Sequence, residues 1–347
     1  MPPDMRYATE SEERRPGGGR IAVPFAASPG GRPDAVTGSG IHDRWGLILA
    51  GGDGTGLRPL TRRIENDHRP KQFCRLLDNE TLLDRTRRRT ALVIPPERTL
   101  VLVTRRHERF YAPLLEHAPA GCVVRQAQNR GTAPAILYGL LRVSAAAPMA
   151  AVGLFPSDHY VSDDSVFMGH VGIAFEAVRA RPDLIVLLGI DADQPEPAYG
   201  WIEPGDSLPA GPGRQLSRVR RFWEKPPRPV AEALLASGAL WNSFVIVARV
   251  PALLGLMKHA VPALFQAFDG ARAAINTGSE PERFSALYVR LVSTDFSERV
   301  LAPRPANLAV LKVTGVAWSD LGEPGRVMTV LARVGIEPEW ARPAVRA

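Results

Sequence analysis

An α/β domain with a mostly parallel central sheet flanked by helices is the fold class predicted for this 347-residue chain. Three observations predict it. Short, near-continuous apolar runs recur at 47–50 (LILA), 99–104 (TLVLVT), 122–126 (CVVRQ), 151–155 (AVGLF) and 183–190 (DLIVLLGI), as expected for strands buried on both faces. Segments of helical spacing separate most of them. The polar and glycine-rich residues fall just after the runs, where an open parallel sheet places its ligands.

The elements follow in order. Residues 81–93 (TLLDRTRRRTALV) space their apolar side chains at three and four among arginines, the pattern of a surface helix. Helices are also expected at 111–118 (YAPLLEHA), at 133–147 (APAILYGLLRVSAAA, entered through Thr132) and at 168–180 (MGHVGIAFEAVRA). From about Asp191 the texture changes to longer loops and shorter β-like pieces at YGWIEP, SRVRRFW and SFVIVAR, with helices at 228–237, 250–267 and 281–291. A last apolar strand, NLAVLKVTGVAW, runs into Ser319 and Asp320, and VMTVLARVG closes as a helix. There is no internal repeat.

Residues 1–43, rich in Pro, Gly, Ser and charge, are expected to be a disordered extension, and 336–347 a tail. No low-complexity linker divides 44–335, so 191–335 is read as a substrate-binding elaboration of the domain begun by 44–190. Composition narrows the function. Apolar residues make up 45% of the chain, as in a soluble globular protein. The net charge of +7 is spread and locally offset by carboxylates, without a basic block carrying interleaved aromatics, which argues against nucleic acid. No stretch has the layout of a membrane span or signal peptide. Cys74 and Cys122 lack metal or disulfide spacing, so a reducing cytoplasm is the default and Cys74 is read as core.

The stretch from Trp45 to Phe73 carries the strongest chemical signal. A strand-like run breaks into glycines at 51, 52, 54 and 56, followed by cations that include Lys71. Glycines let consecutive N–H groups approach an anion closely, which is the shape of a phosphate site. The dinucleotide spacing GxGxxG fails because position 57 is Leu, and a Walker loop fails because Leu57 and Arg58 follow the last glycine. Asp158 and Asp320, each after a strand, could together hold a divalent cation against phosphates. His159 is read as a packing or helix-start residue. Trp201, Trp223, Trp241 and Trp318 are either buried walls or ring contacts to a ligand.

Several motifs, in order over about 45–330, resemble those of the sugar-1-phosphate nucleotidylyltransferases, and within them the mannose-1-phosphate guanylyltransferase (GDP-mannose pyrophosphorylase) family. They are AGGDGTGLRPL with RPKQF, QAQNRGTAPAI, FPSDH, YGWIEPG, FWEKP, LWNSF, STDFSERVL and WSDLG. The resemblance implies a Rossmann-like (GT-A-like) domain that transfers a nucleotidyl group from a nucleoside triphosphate, GTP by preference, to a hexose 1-phosphate, mannose 1-phosphate by preference. It implies that Gly51, Gly52, Gly54 and Thr55 line the nucleotide phosphates and that Lys71 neutralises the triphosphate. Gln126, Gly131 and Thr132 would meet the base. Gly200, Glu224 and Asn242 would meet the sugar hydroxyls, and Lys225 the sugar phosphate. Asp158 and Asp320 would hold Mg²⁺. The partners implied are these small molecules, with neither nucleic acid nor membrane, and a homo-oligomer is left open.

The reaction implied needs no general base, because a sugar phosphate is already anionic; catalysis consists of bringing two anions together in line and stabilising the charge that develops. The pattern departs from the family at one place. Position 56 is Gly where the resemblance expects an arginine, and the spacer before Lys71 is long, so reduced activity is expected and Gly56→Arg is expected to raise turnover. The alternatives are an impaired nucleotide- or sugar-phosphate-binding paralogue acting as sensor or partner, and a uridylyl- or thymidylyltransferase acting on glucose 1-phosphate.

Overall fold

Alternation along the strands decides which side chains face which layer. In β1 (Arg44–Leu49) Leu47 enters one core and Ile48 the other, and both are fully buried. Each such side chain contributes about 1.5–3 kcal/mol on burial. The computed structural model describes residues 43–209 and 215–341, so the expected disordered extension lies outside the described residues except for residue 43, and the end of the tail lies outside them as well.

After β1 come β2 (Thr99–Thr104), β3 (Val123–Gln126), β4 (Ala151–Pro156), the short β5 (Tyr160–Val161) and β6 (Ile185–Asp191). The second half adds β7 (Gly200–Leu208), β8 (Leu216–Glu224), β9 (Leu240–Arg249), β10 (Leu308–Val313) and the short β11 (Trp318–Ser319). Nine of these form one sheet in the order β3-β2-β1-β4-β9-β6-β10-β8-β7, while β5 and β11 pair antiparallel on their own. Following the pairings across the sheet, β8 and β9 run one way and the other seven the opposite way. The α/β class with a mostly parallel sheet is therefore borne out.

Helices cover both faces. Beside or below the strands lie α1 (Arg58–Glu65), α2 (Leu82–Thr90), α3 (Glu108–Tyr111), α4 (Thr132–Ala146) and α5 (Asp164–Ala180). The second half supplies α6 (Arg228–Ala236), α7 (Val250–Ala260), α8 (Pro262–Asp269), α9 (Glu280–Arg290) and α10 (Pro324–Val334). α4, α7, α8 and α9 pack with Leu47, Leu154 and Ile246 on one face; α5 and α6 pack with Ile48, Val186 and Val247 on the other. Thr81 caps α2 by accepting from the Asp84 N–H, and Asp163 caps α5 by accepting from the Val166 N–H. Among the described residues no helix is long and apolar enough to cross a membrane.

Three expected elements are corrected. The helix expected over 250–267 is two helices, because Val261 leaves helical geometry and Pro262 starts anew at the first position of α8. The strand expected over 307–318 ends at Val313, and Gly315 adopts a positive φ of 78° before β11. In place of a helix over 111–118, α3 ends at Tyr111 and gives way to turns.

β9 joins the two halves of the sheet. Its later half pairs with β4 from Ala151↔Arg249 to Leu154↔Ile246; its opening residues instead pair with β7, Trp201 opposite Trp241. Its other edge follows β6 throughout, with a register shift between Leu187 and Gly189. At that irregularity Ser243 Oγ donates to the Leu188 carbonyl and accepts from Val245 N–H, while Phe244 sits at φ 61°.

Candidate functional site

The site begins at the end of β1. Gly54 has φ 57°, and a Cβ there would lie 2.9 Å from the Lys71 nitrogen, so the turn and its backing on Lys71 both require glycine. Gln72, buried beneath the loop, donates through Nε2 to the carbonyls of Ala50 (3.1 Å) and Gly52 (2.8 Å), and Thr104 Oγ1 donates to the Gly51 carbonyl at 2.9 Å. Three loop carbonyls are thus tied down on the protein side. A cavity of about 310 Å³ opens beside the loop, walled by Gly51, Gly52, Gln126, Gly131, Thr132, Asp158, Phe244 and Asp295 among others. Thr55 opens a single 3-10 turn with Gly56 and Leu57 and does not line the cavity.

The opposite wall comes from the end of β3 and the start of α4. Gln126 is buried; its Oε1 accepts from the Tyr288 hydroxyl at 3.1 Å, and its Nε2 lies 2.7 Å from where a Gly51 Cβ would be. Gly131, at φ 86° and ψ −178°, presses so closely on Thr294 that a Cβ would lie 2.4 Å from the Thr294 carbonyl oxygen. Thr132 Oγ1 donates to Asp295 Oδ2 at 3.2 Å and accepts from Phe296 N–H at 2.7 Å. Asp295, in the STDFSERVL stretch, is therefore a wall residue that the sequence reading quoted within a motif without singling out.

Lys71 is buried between the two aspartates. Its Nζ donates to the backbone carbonyls of Asp320 (2.5 Å) and Leu321 (3.2 Å) and lies 3.4 Å from Asp158 Oδ2. Asp320 Oδ1 already accepts from Gly322 N–H (2.8 Å) and Arg326 Nη1 (2.7 Å). Arg326 also contacts Glu196 at 3.1 Å and lies over the Tyr199 ring at 4.5 Å. Burial pushes the Asp320 carboxyl upward, but His159, Lys71 and Arg326 outweigh it and hold the group below the ordinary range. Arg326 lies outside every quoted motif, and Gln72 stands within RPKQF without having been singled out.

His159 packs edge-on to Trp318 with its Nε2 3.6 Å from Asp158 Oδ1, and burial holds the imidazole below its ordinary value. Trp201, Trp241 and Trp318 are buried and pack with Tyr199 or with one another, which favours the wall reading for these three. Trp223 instead carries the Arg221 guanidinium 3.5 Å over its ring and donates to Glu203. Both cysteines are buried free thiols, and burial pushes Cys74 up to about 12.

The residues expected to meet the sugar form a second cluster. A Cβ on Gly200 would stand 3.1 Å from Glu224 Oε2 and 3.2 Å from Asn242 Cβ, so Gly200, Glu224 and Asn242 converge. Burial, then the carboxylates of Asp295 and Glu298, push the Glu224 carboxyl above its ordinary range against the pull of Lys225. Lys225 lies 3.4 Å from Glu224 with most of its side chain exposed. None of these four lines the cavity beside the glycine loop; Asp295 links the two clusters by charge, and Phe244 by its place two residues after Asn242. Five described non-glycine residues have positive φ, and Lys225, Phe244 and Leu321 are three of them, so backbone strain concentrates here.

Among the described residues no group of three or more His, Cys, Asp or Glu side chains is arranged to hold a metal ion. The chemistry present is two carboxylates about one lysine, with Asp158 held only at ion-pair distances and Asp320 keeping Oδ2 outside its two hydrogen bonds. Hard oxygen donors of this number fit a magnesium ion that brings its remaining ligands with a phosphate.

Position 56 departs from the sequence-based expectation. A Cβ on Gly56 would lie 2.6 Å from the Gly322 carbonyl oxygen, a backbone atom of the WSDLG loop. An arginine here has to push that loop away. Gly56→Arg is therefore expected to lower turnover, by roughly tenfold or more, in an assay of the purified variant; a gain would show that the loop moves freely.

Two further cavities among the described residues lie away from the predicted site residues. One of about 280 Å³ lies between α2 and the start of β2, and a groove of about 690 Å³ borders Val261 and Val292 and shares only Asp295 with the site.

The chain has relatives among known proteins. Residues 45–334 match the family described as nucleotidyl transferase. The Xanthan biosynthesis protein XanB of Xanthomonas campestris pv. campestris (strain B100) is 28% identical over 295 residues, 83% of this chain and 60% of that protein. A mannose-1-phosphate guanylyltransferase of Klebsiella pneumoniae is 30% identical over 287 residues, 80% of this chain and 57% of its own length. The chain thus spans about three fifths of the curated relatives it matches. Among solved structures, the mannose-1-phosphate geranyltransferase of Thermus thermophilus superposes with a TM-score of 0.70 at 27% identity, covering 83% of this chain and 79% of that one. With the family match running from β1 through α10, across the glycine loop, both aspartates and both clusters, the chain belongs to the nucleotidyl transferase family.

Proposed function

We propose that this chain transfers a guanylyl group from GTP to mannose 1-phosphate, giving GDP-mannose and pyrophosphate. The observation that carries the reading is the cavity between the glycine loop and the Gln126–Thr132 segment, with Asp158 on its wall and the Gly200, Glu224 and Asn242 cluster beyond Asp295. The similarity to proteins named mannose-1-phosphate guanylyltransferase supports the choice of base and sugar.

In this reading Gly51 and Gly52 present backbone to the phosphates, and Gly54 makes the turn that sets them there. Gln126, Gly131 and Thr132 bound the base. Gly200, Glu224 and Asn242 orient the sugar, and the exposed Lys225 ammonium meets its phosphate. Asp158 and Asp320 would hold a magnesium ion, which supplies Lewis-acid neutralisation of phosphate charge when bound. Lys71, buried beside Asp158, supplies a fixed positive charge for the triphosphate. No side chain has to remove a proton, because the attacking oxygen of the sugar phosphate is anionic. The protein's work is to overcome repulsion between two anions and to hold them in line.

Pyrophosphate release by purified protein with GTP, mannose 1-phosphate and Mg²⁺ tests the reading. Release that needs both substrates is expected. GTP binding without release would overturn it in favour of a binding paralogue, and faster release with UTP or dTTP and glucose 1-phosphate would overturn the base and sugar choice alone.

A further inference from the structure

A carboxylate stands in the middle of a loop meant for a polyanion. Asp53, between Gly52 and Gly54, is the wrong charge for a phosphate cradle, and left to itself it would repel a nucleotide. The structure gives it three partners from two other segments. Oδ2 accepts from Asn129 Nδ2 at 3.0 Å; Oδ1 faces His107 Nε2 at 3.1 Å and Arg106 Nη1 at 3.5 Å. His107 is buried just after β2 and packs edge-on to Phe73, so a fixed core residue backs Asp53 on that side. Asn129 carries the link onward, because its Oδ1 accepts from the Gly131 N–H at 3.0 Å. Gly131 is itself wedged on Thr294 and opens α4.

We propose that Asp53 is a positioning residue that ties the glycine loop to the 129–131 segment, so that the phosphate wall and the base wall of the cavity are set as one body before the nucleotide arrives. The inference rests on the nucleotidyl-transfer reading for its consequence and on the free protein for its geometry. A loop fixed in advance loses little freedom on binding, so the tether favours affinity although its charge opposes it. The two effects have opposite signs, which makes the proposal decidable.

Two measurements on Asp53→Ala, Asn129→Ala and the double variant test it. In the free protein, hydrogen exchange is expected to quicken over both 51–57 and 127–133 in either single variant; loosening confined to the substituted segment overturns the tether. With GTP and Mg²⁺, each single variant is expected to raise the KM for GTP about tenfold, with the KM for mannose 1-phosphate within about twofold of wild type. The double variant is expected to be no worse than the worse single one, since both cut one link. Tighter GTP binding by Asp53→Ala would mean that repulsion dominates and would overturn the proposal. Asn129→Asp, isosteric but without the Nδ2 donor and with a carboxylate set against that of Asp53, serves should the alanine variants fail to fold, with exchange raised over both segments as the expected result. Wild type that exchanges as described yet binds no GTP would refute the nucleotide reading and leave the tether standing.

Discussion

Lys71→Met is expected to lower kcat/KM for nucleotidyl transfer by about 100- to 1000-fold, the usual scale for removing one preorganised charge from a transferring group. It is also expected to destabilise the fold. The Lys71 ammonium is the donor to the Asp320 and Leu321 carbonyls and the cation beside Asp158, so methionine leaves two acceptors and a carboxylate without it. Unmade hydrogen bonds of this kind cost about 1–3 kcal/mol, and Asp158, partly exposed, adds little after solvent screening. Pyrophosphate-release kinetics and urea unfolding of the same preparation separate the two effects. A loss of stability with activity intact would mark Lys71 as a structural lysine and remove it from the catalytic set. Lys71→Arg is not expected to rescue, because the planar guanidinium cannot take the place of a compact ammonium between two carbonyls.

Gly131→Ala carries the second large effect, through the backbone. The φ of 86° with ψ near 180° is a region open essentially to glycine alone, and the new Cβ would meet the Thr294 carbonyl oxygen at 2.4 Å. Strain and clash together are expected to cost roughly 3 kcal/mol and to lower Tm by about 5 °C for a domain of this size. Gly121→Ala provides the control. It has a similar φ of 78°, but the nearest atom to its Cβ is the tip of the Arg142 side chain at 3.9 Å, so about 1 kcal/mol is expected. Equal losses in the two variants would show that the Thr294 contact yields without cost. Nucleotide affinity should fall only in the Gly131 variant, since that residue joins the 129–131 segment to the Thr294–Phe296 stretch.

What could be read from the sequence follows from which contacts are local. The strand at Thr99–Thr104 falls where its apolar run ends, and the helix from Thr132 where a polar residue enters one. The break at Val261 was signalled by Pro262, whose missing N–H permits a new start but not a continued helix. The motif residues that the cavity joins, Gly51, Gly52, Gln126, Gly131, Thr132 and Asp158, were identifiable because each follows a strand in its own motif. Gln72, Arg326 and Asp53 were not. Their roles depend on which carbonyl or carboxylate tertiary packing sets before them: Gln72 on loop carbonyls 20 and 22 residues away, Arg326 on Asp320 and Glu196, Asp53 on Asn129. The close approach at Gly56 is hidden from the sequence for the same reason. Its partner, Gly322, lies far along the chain, and a vacancy in a motif can be filled by another segment's backbone.

The path of β9 has a mechanical consequence. This one strand borders β4, whose end carries Asp158, and β7, whose start carries Gly200, while Asn242 and Phe244 on it belong to the sugar side and the nucleotide side. Two residues of backbone span about 7 Å in extended form. On the proposed reading, the spacing between the two substrates would be gauged by a continuous length of polypeptide, like marks on a ruler. A one-residue insertion between Asn242 and Phe244 would misalign the reacting phosphates while leaving each pocket whole, so that both substrates bind and none is converted.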